Sequence, residues 1–66
     1  MKPVNRDQFF SEINRLSAAG INIHPRIVND RWPYRSEWRT QDSSRRLVGV
    51  SQEKATPQGT CDYFLP

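Results

Sequence analysis

Val4-Asn5-Arg6-Asp7-Gln8-Phe9-Phe10-Ser11-Glu12-Ile13-Asn14-Arg15-Leu16-Ser17-Ala18-Ala19-Gly20-Ile21-Asn22-Ile23 spans the change of period on which the fold turns. Asn5 is a strong N-cap, and Gln8 three residues later completes a capping-box pattern. Val4 before the cap and Phe9 after it are spaced for a hydrophobic staple. Phe9, Ile13 and Leu16, with Phe10 beside them, recur at helical spacing and form one apolar stripe. Gly20 supplies the left-handed residue that ends a helix, and Ile21 is placed to fold back on Leu16 as in a Schellman stop. The pattern predicts a helix over residues 6–19. Its outer face carries Arg6, Asp7, Glu12, Asn14 and Arg15, of mixed sign, so it reads as a packing helix and not as a major-groove reader.

Beyond Gly20 the period falls to two. Ile21 and Ile23 alternate with Asn22, and the residue before Pro25 is pushed to an extended conformation. Ile27-Val28 is a short strand signal, Asn29-Asp30 has turn chemistry, and Pro33 limits residues 26–35 to an edge strand. Thr40 to Ser44 reads as a polar loop. Arg45 to Gln52 gives the clearest strand, with Val48 and Val50 expected on one face and Leu47 on the other. Thr56-Pro57-Gln58-Gly59 fits a β-turn, and Cys61, Tyr63 and Leu65 alternate after it. The expected product is an α+β domain: one N-terminal helix packed on a three-stranded antiparallel sheet, with strands near 26–35, 46–53 and 60–65.

The chain has 66 residues, 35% of them hydrophobic, which accommodates one domain spanning residues 1–66 with a thin core. No apolar run approaches the roughly 18 residues of a membrane span, and the N-terminus lacks the apolar stretch of a secretory leader. A cytoplasmic location without membrane attachment is therefore expected. The single cysteine, Cys61, excludes an internal disulfide, and with one histidine, His24, it cannot complete a structural zinc site. Neither a metal nor a cofactor is expected. His24 and Cys61 are the only candidates for nucleophile chemistry, and a thiol alternating with Tyr63 and Leu65 reads as buried and inert. The carboxylates show no acid/base or metal spacing, and there is no glycine-rich phosphate loop. No enzymatic activity is expected.

The net charge of +3 sits in the middle third. Arg26, Arg31, Arg35, Arg39, Arg45 and Arg46 stand there against only Asp30, Glu37 and Asp42, whereas basic and acidic residues balance elsewhere. Eight of the ten basic residues are arginine, whose forked guanidinium suits phosphate or carboxylate. Arg31-Trp32-Pro33-Tyr34-Arg35, followed by Trp38-Arg39, interleaves these cations with flat rings. That combination holds single-stranded nucleic acid, with guanidinium groups on phosphates and rings under bases. Trp32, Tyr34 and Trp38 equally suit the bulky core of a small sheet, with Arg31 and Arg35 on the opposite face, and both roles remain open. Arg45-Arg46 is a second basic pair that either clamps an anion or simply guards a strand edge.

The stretch from Gly20 to Phe64 resembles the small module that precedes the TOPRIM domain in some phage- and plasmid-encoded primases. That module reads as a Gly-Ile segment, Asp-Gly-x-Trp-His-Arg, a basic loop, a strand opening near glycine, and Pro-x-Gly before Asp-Phe or Asn-Phe. Here Gly20-Ile21, Asn29-Asp30-Arg31-Trp32-Pro33-Tyr34-Arg35, Gly49, Pro57-Gln58-Gly59 and Asp62-Tyr63-Phe64 carry the likeness. The glycine after Asp30 is absent, Pro33-Tyr34 replaces the histidine, and there is no TOPRIM segment. The resemblance implies a nucleic-acid-contacting accessory module of a mobile element, without synthesis activity. The partner expected from residues and resemblance together is nucleic acid, single strands favoured, bound through Arg26, Arg31, Trp32, Tyr34, Arg35, Trp38, Arg39, Arg45 and Arg46. The alternative is an inhibitor of a host enzyme or anti-phage defence complex, whose arginines meet an acidic protein surface.

Overall fold

The computed structural model describes residues 1–53 and 61–66. In chain order the elements are β1 (Lys2–Val4), α1 (Arg6–Ala18), β2 (Ile23–Asn29), β3 (Arg35–Thr40), β4 (Leu47–Glu53) and β5 (Cys61–Leu65). The strands form one antiparallel sheet in the order β1-β5-β4-β3-β2. The α+β class with one helix on an antiparallel sheet is as expected; the sheet has five strands, not three. No helix among the described residues is long and apolar enough to cross a membrane.

Both helix ends follow the sequence logic. The Asn5 side chain accepts from the Gln8 amide at 2.7 Å, and the Phe9 amide donates to the Asn5 carbonyl at 3.0 Å. At the other end Gly20 has φ +89°, its amide donates to the Ser17 carbonyl, and the Ile21 amide donates to the Leu16 carbonyl. These two bonds are the Schellman pair; Ala19 is the cap and the helix ends at Ala18, one residue before the expected end. Phe9, Ile13 and Leu16 are buried against Val48, with Val4, Ile21, Ile23, Trp38, Tyr63 and Leu65 around them.

The two strands missing from the sequence reading have different causes. β1 is three residues that form a strand only by pairing with β5, with Pro3 opposite Phe64. Residues 26–35 are not one strand: β2 ends at Asn29, residues 30–34 make a loop, and β3 begins at Arg35. The Asn29-Asp30 turn therefore breaks the segment, and β3 continues through Glu37, Trp38 and Arg39 to Thr40, where the polar loop was expected to start. The Trp32–Pro33 peptide is cis.

A bulge corrects β4 as well. Trp38 pairs with Gly49 but Arg39 pairs with Leu47, so Val48 is an extra residue in the ladder. Val48 and Gly49 both meet the helix side: Val48 belongs to the core cluster and Gly49 lies under Phe9. Val50 is consequently turned to the other face, between its partners Glu37 and Phe64, and not beside Val48. The expected turn at residues 56–59 lies outside the described residues. Cys61 is half-buried and not fully enclosed.

Candidate nucleic-acid interface

Strand alternation divides the sheet into a face under α1 and an opposite, open face, on which Val50, between Glu37 and Phe64, is nonetheless buried. Trp38 fixes the assignment for β3, because its ring packs edge-on against Phe9 and Phe10 at centroid distances of 5.7 and 5.6 Å. Its indole Nε1 donates to Ser51 Oγ at 2.9 Å, which satisfies the one polar atom of a half-buried ring. Arg35, Glu37 and Arg39 therefore point the opposite way. On β2, Pro25 pairs with Trp38, so its neighbours His24 and Arg26 share the open face with them.

A groove of about 860 Å³ runs along the β2 edge, lined from the open face by His24, Arg26, Glu37 and Arg39, with Arg45, and from the other face by Pro25, Ile27 and Thr40. Arg39 is held in it by two contacts: its Nε donates to Glu37 Oε1 at 3.2 Å and its Nη1 to the Arg45 carbonyl at 2.9 Å. Arg26 sits opposite Glu37 in the ladder, and Arg35 continues the row beside Val50 and Gln52. Glu37 is the one carboxylate in the groove lining, and its ion pair with Arg39 leaves the balance positive. Arg26, Arg35 and Arg45 are exposed and Arg39 is half-buried, and guanidinium groups of this kind are donors suited to phosphate oxygens.

The turn that delivers Arg45 is built by Asp42. Asp42 Oδ1 accepts from the Ser44 hydroxyl at 2.6 Å, the Thr40 hydroxyl at 2.9 Å, and the Ser44 and Arg45 amides at 3.1 and 3.2 Å. Hydrogen bonds from Ser44 and Thr40, chief among these, hold its carboxyl below the ordinary carboxylate range. Thr40, buried, also accepts from the Arg46 amide at 2.9 Å and so closes the hairpin. Arg45 is the one non-glycine residue at positive φ (46°) among the described residues. An arginine in this left-handed position, where glycine or asparagine is the usual solution, puts a cation at the groove at the cost of local strain.

The nine residues singled out from the sequence do not all converge. Arg26, Arg35, Arg39 and Arg45 gather on the open face. Arg31 and Trp32 lie in the β2–β3 loop, both exposed, and Tyr34 at its end lines a recess on the helix side with Phe10 and Ile27. The expected opposition of Trp32 and Tyr34 to Arg31 and Arg35 across one strand does not arise, because this segment is a loop. The half-buried Trp38 ring packs against the core. Arg46 is placed by its backbone bonds to Thr40, its amide donating to Thr40 Oγ1 and its carbonyl accepting from the Thr40 amide. His24, Pro25, Ile27, Val28, Thr40 and Gln41, outside the expected set, also line the groove; the alternation 24, 26 carries the signal of His24 once the strand is started at Ile23, and a bulge at Val28 breaks it.

His24 and Cys61 form no pair. They lie on strands separated by β3 and β4, about 14 Å across the sheet by strand spacing. They also occupy opposite faces, His24 in the open groove and Cys61 in the helix-side recess with Tyr63. Among the described residues no three or more His, Cys, Asp or Glu side chains come together as a metal site. Comparison with protein-family models, with curated proteins and with solved structures finds no match to this chain.

Proposed function

We propose that this protein is a nucleic-acid-binding accessory module of the phage or plasmid type, which seats a phosphate backbone on the open face of its sheet. The observation that carries the reading is the placement of Arg26, Arg35, Arg39 and Arg45 on the one face that α1 leaves uncovered. The resemblance of residues 20–64 to the primase accessory module points the same way. Binding is electrostatic first, because arginines that neutralise phosphates release the counterions condensed on the nucleic acid, and no reaction is assigned to the site. The test is fluorescence anisotropy with single- and double-stranded oligonucleotides at low salt. Expected is a Kd tighter than ~100 μM, weakened in the Arg26→Ala and Arg45→Ala double variant, since ordinary non-specific affinities lie at or below that bound.

A second reading is favoured by Ile27 and Val28, which are 64% and 48% exposed near the C-terminal end of β2. Phosphates have no use for neighbouring aliphatic side chains at an edge strand, whereas an acidic protein surface ringed by apolar contacts does. Under this reading the protein is an inhibitor that docks on a host enzyme or defence complex. Absence of oligonucleotide binding, with capture of a protein partner lost in Ile27→Ser/Val28→Ser, would select it.

A further inference from the structure

Trp32 is 52% exposed at a loop that the protein holds in one shape, while the other tryptophan has gone into the core. The clamp is Asn29. Its Nδ2 donates to the Pro33 carbonyl at 3.2 Å and its Oδ1 accepts from the Arg31 amide at 3.0 Å, so one side chain ties both limbs of the loop on either side of Trp32. The base of the loop is closed by the Asn29–Arg35 pairing and by the Glu53 amide donating to the Tyr34 carbonyl at 2.8 Å. Trp32 is the largest of the exposed apolar side chains among the described residues, and it stands on a loop whose backbone is already fixed. Arg31 and Arg35, both exposed, flank Trp32 in the chain, and Arg35 lies on the open face with Glu37 and Arg39.

We propose that the β2–β3 loop is a preformed stacking post, on which Trp32 receives one unpaired base of a single strand whose phosphates run onto the arginine face. The proposal rests on the nucleic-acid reading and deepens it, because the post names the substrate class. In a duplex every base is already stacked and its face is covered, so Trp32 gains nothing there; a single strand offers free π-faces. Asn29 acts as a positioning residue. It fixes the backbone before the base arrives, which lowers the ordering entropy that a flexible loop would lose on binding.

The experiment uses the two-tryptophan composition of the chain. In Trp38→Phe the remaining indole is Trp32, and its emission is followed during titration with a single-stranded oligonucleotide and with the corresponding duplex. Quenching by the single strand and not by the duplex is expected. In parallel, anisotropy on otherwise wild-type protein reads Trp32→Ala, which avoids any loss of folding in the core variant. Truncation of one stacking ring is expected to weaken single-strand binding by about 5- to 150-fold with the salt slope unchanged. Asn29→Ala is expected to reduce single-strand affinity and the quench amplitude together, with duplex affinity unmoved. Single-strand binding within twofold of wild type in Trp32→Ala, or bound oligonucleotide that leaves Trp32 emission unchanged, would overturn the post and leave the arginine face standing. Failure of wild-type protein to bind any oligonucleotide would overturn both.

Discussion

Gly49→Ala should be the most damaging single-methyl change in the sheet. A Cβ at this position would lie 2.5 Å from Phe9 Cε1 and 3.1 Å from Cζ, against the 3.5–4.0 Å that carbon atoms prefer. Phe9 cannot swing away: it is fully buried and boxed in by the rings of Phe10, Trp38 and Tyr63 at 5.1 to 5.7 Å. The strand cannot back off either, because the Phe64 carbonyl would stand 3.0 Å from the same Cβ. Overpacking of a filled core costs about 1–3 kcal/mol, and a site closed on both sides belongs at the upper end. Removal of glycine's unfolded-state freedom returns about 0.5–1 kcal/mol, so the net loss is about 2 kcal/mol. For a domain of this size that corresponds to a fall in Tm of roughly 8–16 °C. Urea titration followed by far-UV circular dichroism measures it. The change should also be relieved in a Phe9→Leu background, with a coupling of at least ~1 kcal/mol between two groups that touch. Equal stability of Gly49→Ala and wild type within ~0.5 kcal/mol, or strict additivity in the double variant, would refute the steric reasoning.

Gly20→Val should lose about 1–2 kcal/mol from backbone strain at φ +89°, since a Cβ there meets nothing within 4 Å; a urea midpoint equal to wild type would contradict this. Asp42 has a folded-state pKa below its unfolded one, so its contribution is complete above the ordinary carboxylate value near pH 4 and disappears as pH falls below it. Asp42→Ala should therefore flatten the acid limb of a stability–pH profile, leaving the part due to Glu12, which Arg15 also holds low. Arg45→Gly should leave stability within ~0.5 kcal/mol, because relief of the left-handed strain is offset by glycine's unfolded-state entropy. The same variant should bind oligonucleotide more weakly; wild-type affinity would remove Arg45 from the interface.

The helix was legible almost to the residue because each of its signals is local. Asn5 needs only Gln8, and Gly20 needs only Ser17 and Leu16, to do what the sequence implies. The strands were less legible because their partners are distant. Lys2-Pro3-Val4 has no period of its own and is a strand only through residues 63–65. Arg35-Ser36-Glu37-Trp38-Arg39-Thr40 hides its alternation, since one face is charged and the other mixes Trp38 with two hydroxyls. The bulge at Val48-Gly49 answers the girth of Phe9, a contact 40 residues away, and no reading of residues 45–52 alone contains it. Four of the arginines that make up the excess, Arg26, Arg35, Arg39 and Arg45, fall near one another on the open face. Which rings belong to that face depended on packing: four rings (Phe9, Phe10, Trp38 and Tyr63) fill the space under α1 and leave Trp32 outside.

The central claim is that the open-face arginines engage phosphates, and the salt dependence of single-strand binding tests it most directly. Each neutralised phosphate contributes about −0.7 to the slope of log K against log salt. Arg26, Arg35 and Arg45 alone give a slope of roughly −2, and release of Arg39 from Glu37 brings it to roughly −3. Anisotropy titrations at several salt concentrations should return a value in that range, and Arg26→Ala should make it shallower by about 0.7. A slope near zero, or one that Arg26→Ala and Arg35→Ala leave unchanged, would contradict the account.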